Sequence, residues 1–181
     1  GLMSRRLETM RRLSYTQGCS IAIINQVGGS GDLVYDGTSG ILNKQGQIEL
    51  IMKSFEEDFA IYDTSIEHTP IEIPYTSYND RTRLVYKAAC LGLRDYFLKN
   101  GYKKACVGLS GGIDSSVVAC LAVGALGKEN VKGLMMPSQF SSDESVEDAK
   151  ILAENLGIEY SVLPITEAYT AIMDTLKPVT G

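Results

Sequence analysis

Residues Ala105–Gly127 read ACVGLSGGIDSSVVACLAVGALG. A short apolar run ends in a glycine-rich turn, and an apolar pattern of helical length begins directly after it. The turn lacks the lysine of G-x-x-x-x-G-K-[ST], because Ile113 and Asp114 follow Gly112. It also lacks the G-x-G-x-x-G spacing, since Gly108, Gly111 and Gly112 are placed differently. Its chemistry is still that of an anion site. A helix starting near Ile113 leaves its first N–H groups unpaired and aimed into the turn. Gly111 and Gly112 tolerate positive φ and close backbone approach, and Ser110, Ser115 and Ser116 add hydroxyls. Asp114 would repel a phosphate unless a hard cation such as Mg²⁺ lies between them. The loop thus reads as a site for polyphosphate plus metal. An ordinary strand-to-helix turn, with Asp114 and the serines as first-turn residues, fits the same letters.

Outward from this turn the pattern alternates. KACVGL is followed by a helix over Ile113–Leu126, VKGLMM by a helix over Asp143–Leu156 that ends at Gly157, and EYSVLPI closes the run. This is a parallel βαβαβ arrangement. In such sheets ligands bind at the carboxyl ends of the strands. That edge carries both SGGID and MPSQFSSDES (Met136–Ser145). Met136 and Pro137 offer an apolar wall for a base, and the serines a polar side. A nucleotide with several phosphates suits this edge better than an empty turn does. Ser141 or Ser142 serves as N-cap of the second helix, with acids in its first turn.

The upstream half has a different texture. A basic helix over Ser4 to about Gln17 precedes five short strand patterns, SIAIIN, LVYDG, SGILN, QIELIM and FAIYD, punctuated by glycines as in an antiparallel meander. Residues Thr64–Asp80, with Pro70 and Pro74, read as a linker. A helix from about Arg81 to Asn100 follows and stops at Gly101.

Composition bounds the function. The 181 residues are 44% hydrophobic with five prolines, enough for one or two globular domains. A net charge of −5 argues against a nucleic-acid surface. No apolar stretch approaches the roughly 18 residues of a membrane span. Cys19, Cys90, Cys106 and Cys120 are widely spaced in apolar contexts, and each reads as a buried small hydrophobe. Their spacing is neither a disulfide framework nor a metal motif, and it suits a reducing cytoplasm. The single histidine, His68, lies in the linker, so neither a Ser–His–Asp triad nor a zinc site is supported. Glu56, Glu57 and Asp58 read as a solvated turn.

SGGIDSS resembles the PP-loop of the N-type ATP pyrophosphatases. The longer stretch from GLSGGIDSS through MPSQFSSDES to the DA at Asp148–Ala149 is similar to the ligase domain of NAD synthetases, and its spacing separates it from GMP synthetases and tRNA-thiolating relatives. INQVGGSGDLVYDGTSGILNKQGQ resembles the C-terminal part of the nitrilase-like (CN hydrolase) glutaminase domain of glutamine-dependent NAD synthetases. The resemblance implies an α/β chain: the end of a nitrilase-like α-β-β-α sandwich over residues 1–63, a linker over 64–80, and the N-terminal part of a Rossmann-like, parallel-sheet ATP-pyrophosphatase domain over 81–181.

It also implies a cytoplasmic carbon–nitrogen ligase of NAD biosynthesis. ATP and Mg²⁺ would activate deamido-NAD⁺ as an adenylate, releasing pyrophosphate. Ammonia, free or drawn from glutamine, would then displace AMP. The positions carried over as ATP-binding are Gly108, Leu109, Ser110, Gly111, Gly112, Ile113, Asp114, Ser115, Ser116 and Met136, with Asp114 as the metal-associated acid. A homo-oligomer is implied, with neither nucleic acid nor membrane as partner. The family's Glu–Lys–Cys glutaminase triad falls upstream of Gly1, so no catalytic residue is expected in this chain, and the later ligase segments fall beyond Gly181. The chain then resembles a central fragment. An inactive nucleotide-binding piece, or a part of another PP-loop amidotransferase, fits the same residues.

Overall fold

The structure, a computed structural model, describes residues 2–72 and 80–180. Residues 73–79 of the expected linker, Pro74 among them, lie outside the described residues. The chain divides into two compact units, Gly1–Tyr96 and Phe97–Gly181.

In the first unit, helix α1 (Leu2–Gln17) precedes strands β1 (Ile21–Ile23), β2 (Val27–Ser30), β3 (Leu33–Asp36), β4 (Gly40–Leu42) and β5 (Ile48–Ile51). They do not form a single meander. β1, β4 and β5 make a three-stranded antiparallel sheet in the order β1-β4-β5, while β2 and β3 form a separate hairpin. Leu42 and Ile48 are the buried side chains of the larger sheet. Ser14 of α1 is wholly buried and donates to the carbonyls of Cys19 and Asn43, fixing the helix over the β4–β5 turn. Arg6 grips the Asp36 carboxylate with two bonds of 3.1 Å, a paired geometry that a guanidinium favours.

Two strand expectations change. Val27–Ser30 pairs with β3 although its glycines suggested punctuation. Helix α2 (Arg81–Lys99) explains the composition. A Cβ on Gly29 would sit 3.4 Å from the Gly92 Cα, and the Gly29 amide donates to the Asp95 carboxylate at 2.7 Å. Glycine in a strand here marks the approach of another backbone. Conversely, Phe59–Asp63 forms no strand. Asp58 draws the amides of Lys53 and Phe59 onto its carboxylate and bends the chain. Tyr62 then stacks on His68 at 4.1 Å and donates to Glu49 instead of entering a ladder.

The second unit is a βαβαβ run as the alternation predicts: β6 (Ala105–Gly108), α3 (Ile113–Leu126), β7 (Val131–Met135), α4 (Asp143–Leu156) and β8 (Glu159–Val162), with a parallel sheet in the order β6-β7-β8. The pattern did not single out α5 (Thr166–Thr180), whose last turn contains Pro178. Ala119 and Ala122 of α3 and Ala149 and Ala153 of α4 are buried with Val107, Val131 and Met135 of the strands. Small residues on the helices let them lie close to the sheet. Gly157 closes α4 in the left-handed conformation, as a C′ glycine does.

The cysteine expectation fails. Cys19 and Cys106 are exposed, and Cys90 and Cys120 are only half-buried. Cys106 lies in an outer strand, on the side opposite to buried Val107, and Cys19 sits in the bend after α1. An apolar neighbourhood in sequence did not put either thiol inside.

Candidate functional site

At the carboxyl ends of β6 and β7 lies a cleft of about 450 Å³. Gly108, Leu109 and Ser110 line it from the β6 side, and Met135, Met136, Pro137 and Phe140 from the β7 side. Ser141, Ser142, Ser145 and Val146, at the start of α4, complete it. Ser110 of SGGID and the loop MPSQFSSDES therefore share one opening.

The turn between β6 and α3 holds its shape through a closed set of hydroxyl bonds. Ser115 and Ser116 both donate to the Gly112 carbonyl, at 3.0 and 2.9 Å. With its only proton so engaged, Ser115 Oγ accepts from the Ser110 amide at 3.2 Å and from the Ser110 hydroxyl at 3.0 Å. Ser110 Oγ in turn accepts from the Gly112 amide at 3.3 Å. In this arrangement the serine protons lock the loop, and the donors it presents outward are backbone.

Those backbone donors belong to the first turn of α3. Its N-cap is Gly112, which has no side chain to accept from them. The neighbouring α4 is different, because Ser142 caps it by accepting from the Ser145 amide. One helix start is satisfied internally and the other is open to an external anion.

The two glycines divide the work. Gly111 has φ +77°, and a Cβ there would lie 2.3 Å from the Ser145 carbonyl oxygen and 2.8 Å from its Cα. Its bareness thus lets the turn rest on the backbone of α4. Gly112 has an ordinary φ of −88°, and a Cβ there would meet only Ser110 Oγ, at 3.4 Å. Sequence alone allowed positive φ at both.

The remaining expected residues separate further. Leu109 lines the cleft but is buried, its side chain packed over Gly133. Gly108 lies beside Met136, a residue 48% exposed. Gly111, Gly112, Ile113, Asp114, Ser115 and Ser116 are not among the cleft's lining, and Ile113 is exposed. Asp114 is exposed in the first turn of α3. Among the described residues no group of three or more His, Cys, Asp or Glu side chains gathers as a metal cage. Asp114 can thus supply one oxygen to a hard cation, with the others coming from phosphate and water, which suits Mg²⁺. The sequence reading did not single out Phe140, the one aromatic in a serine-rich loop, or Ser145.

A second, polar cleft of about 300 Å³ lies in the first unit, between Asn25, Thr38, Ser39, Lys53 and the acids Glu56–Asp58. Asp58 is held below the usual carboxylate range by the amides of Lys53 and Phe59. Cys19 does not line it.

Residues 85–180 match the NAD synthase family. The glutamine-dependent NAD(+) synthetase of Aquifex aeolicus is 43% identical over 88% of this chain and 34% of its own length. That of Thermotoga maritima is 36% identical over 96% of this chain and 36% of its own. Among solved structures, the glutamine-dependent NAD⁺ synthetase from Acinetobacter baumannii in complex with adenosine diphosphate superposes with a TM-score of 0.88, at 34% identity, over 100% of this chain and 35% of that one. The chain spans about a third of the length of these relatives.

Proposed function

The chain belongs to the NAD synthase family, and on that premise we propose that it is part of a glutamine-dependent NAD⁺ synthetase whose nucleotide site is the cleft between the turn 109–114 and the loop 136–145. The observation that carries this reading is the uncapped start of α3 at Gly112, two residues past Ser110, which lines a cleft with an apolar side at Met136 and Pro137. The Acinetobacter baumannii relative was solved with ADP, a ligand with the same two ends.

In the proposed reaction a carboxylate oxygen of deamido-NAD⁺ attacks the α-phosphorus of ATP, and the bond to the β-phosphate oxygen breaks. Pyrophosphate leaves with the electron pair. Ammonia then adds to the acyl adenylate and AMP departs. The amides of the first turn of α3 hold the charge that builds on pyrophosphate, because they are fixed and need not reorient. Bound Mg²⁺ would neutralise phosphate charge beside the Asp114 carboxylate. Ser110, Ser115 and Ser116 keep the loop in its receiving shape, and Met136 with Pro137 shields the base end from water.

Residues 1–63 are assigned to the glutaminase part, 64–80 to the linker and 81–181 to the ligase part. The family match beginning at residue 85 supports that start. The compact division at Tyr96 follows instead from α2 packing on the β2–β3 hairpin through Gly29 and Gly92. We assign the enzyme to the cytoplasm and to a homo-oligomer. Helix α3 carries no charge other than Asp114 and exposes Val117 and Val118, and so apolar a helix calls for cover.

The test supplies the intact protein with deamido-NAD⁺, Mg·ATP and either glutamine or ammonia. NAD⁺, AMP and pyrophosphate should appear in equal amounts. Release of ADP and phosphate, or turnover of ATP that ignores deamido-NAD⁺, would overturn the assignment.

A further inference from the structure

Phe140 lines the cleft while remaining 75% exposed. A phenyl ring left this open contributes little to packing, yet its position is defined from several sides. Its ring meets Tyr169 of α5 edge-to-face, with centroids 5.5 Å apart and planes at 83°. Its amide donates to Ser138 Oγ at 3.2 Å, within a turn closed by the Ser141 amide on the Ser138 carbonyl at 3.1 Å. The Ile165 amide bonds the Pro137 carbonyl at 2.9 Å, and the Tyr169 amide bonds the Ile165 carbonyl at 2.9 Å. Helix α5 therefore starts where it braces the loop, and Tyr169 stands one turn on, against the ring.

Ser110, next to the uncapped start of α3, and Phe140 line the same cleft. An apolar ring has no donor for a phosphate, but it offers a face to a heterocycle. Resting on the nucleotide reading above, we infer that Phe140 stacks on the base of the bound nucleotide and that Tyr169 is the positioning residue that holds the ring for it. Met136, half-exposed, and Pro137 complete the apolar end. The loop thus selects for a planar base, whereas the turn at Gly111–Gly112 selects for charge.

Calorimetric titration of the intact protein with ATP, AMP and pyrophosphate separates the two ends. Phe140→Ala should weaken AMP and ATP about tenfold, the scale of a lost aromatic–base stack, and leave pyrophosphate affinity unchanged. Phe140→Tyr should restore AMP binding. Tyr169→Ala should weaken AMP by a smaller factor, with pyrophosphate again unchanged, and Tyr169→Phe should rescue it. Because Phe140 is exposed, melting of its variants should match wild type, so a loss of AMP binding cannot be put down to unfolding. Wild-type AMP affinity in Phe140→Ala, or equal losses for AMP and pyrophosphate, would overturn the stacking role alone. A wild-type protein that binds neither ATP nor pyrophosphate would instead overturn the nucleotide site itself, and the stacking role with it.

Discussion

Gly111 and Gly112 are adjacent, yet substitutions there should fail for different reasons. At Gly111 the backbone has φ +77°, which costs an alanine about 1–2 kcal/mol. The added Cβ would also lie 2.3 Å from the Ser145 carbonyl oxygen and 2.9 Å from its carbonyl carbon. Because those are backbone atoms, the first turn of α4 must withdraw, with overpacking strain of about 1–3 kcal/mol. The sum, roughly 2–5 kcal/mol, is a large share of the roughly 5–15 kcal/mol that holds a domain folded. Gly111→Ala should therefore lower the melting temperature by roughly 5–20 °C. At Gly112 the φ of −88° suits any residue, and a Cβ meets only Ser110 Oγ at 3.4 Å. Gly112→Val should melt within about 1 kcal/mol of wild type, since valine is only a poorer N-cap. It should nevertheless lose pyrophosphate, because its methyl groups stand beside the amides meant for the anion. Scanning calorimetry gives the first comparison, and titration with pyrophosphate and AMP the second. A Gly111→Ala protein that melts like wild type would refute the contact with Ser145 as the reason for the glycine. Wild-type pyrophosphate affinity in Gly112→Val would refute the anion site at the start of α3.

Asp114→Asn should weaken Mg·ATP several-fold or more while leaving metal-free AMP binding and the melting temperature unchanged, and unchanged Mg·ATP affinity would remove the carboxylate from the metal's surroundings. The Lys132 ammonium, 2.6 Å away across the sheet, bonds the Glu159 carboxylate and attracts it, holding its carboxyl below the ordinary 4.5. A lowered folded value stabilises above the ordinary carboxylate range and is lost as pH falls through the folded value. The melting advantage of wild type over Glu159→Gln should therefore be present at neutral pH and shrink steadily in acid; an advantage that persists at about pH 2 would refute the link. Cys19→Ser should leave glutamine hydrolysis by the intact protein unchanged, and a loss would show that the exposed thiol takes part in the glutaminase chemistry.

Much of the second unit was legible in the chain itself. The apolar run into SGGID, the N-cap at Ser141 or Ser142 and the stop at Gly157 are each set within about one turn of chain, so composition and spacing place them to within a residue. The serines and glycines of the turn suggested the anion site proposed above for the same local reason. Tertiary structure decided the features that depend on what a segment meets. Gly111, not Gly112, takes the left-handed backbone, because Gly111 rests on Ser145, 34 positions further along. Val27–Ser30 became a strand and Phe59–Asp63 did not, since a ladder requires a neighbour. The glycines of the first also make room for Gly92 and Asp95 of α2. Cys106 is exposed although its neighbours are apolar, because burial belongs to the face a residue occupies, and its side chain lies opposite the buried one of Val107. Phe140 is held at the cleft in part by Tyr169, 29 residues away. Periodicity, capping and turn chemistry act over a few residues and leave a trace in the letters. Contacts between distant segments depend on which surfaces the fold brings together.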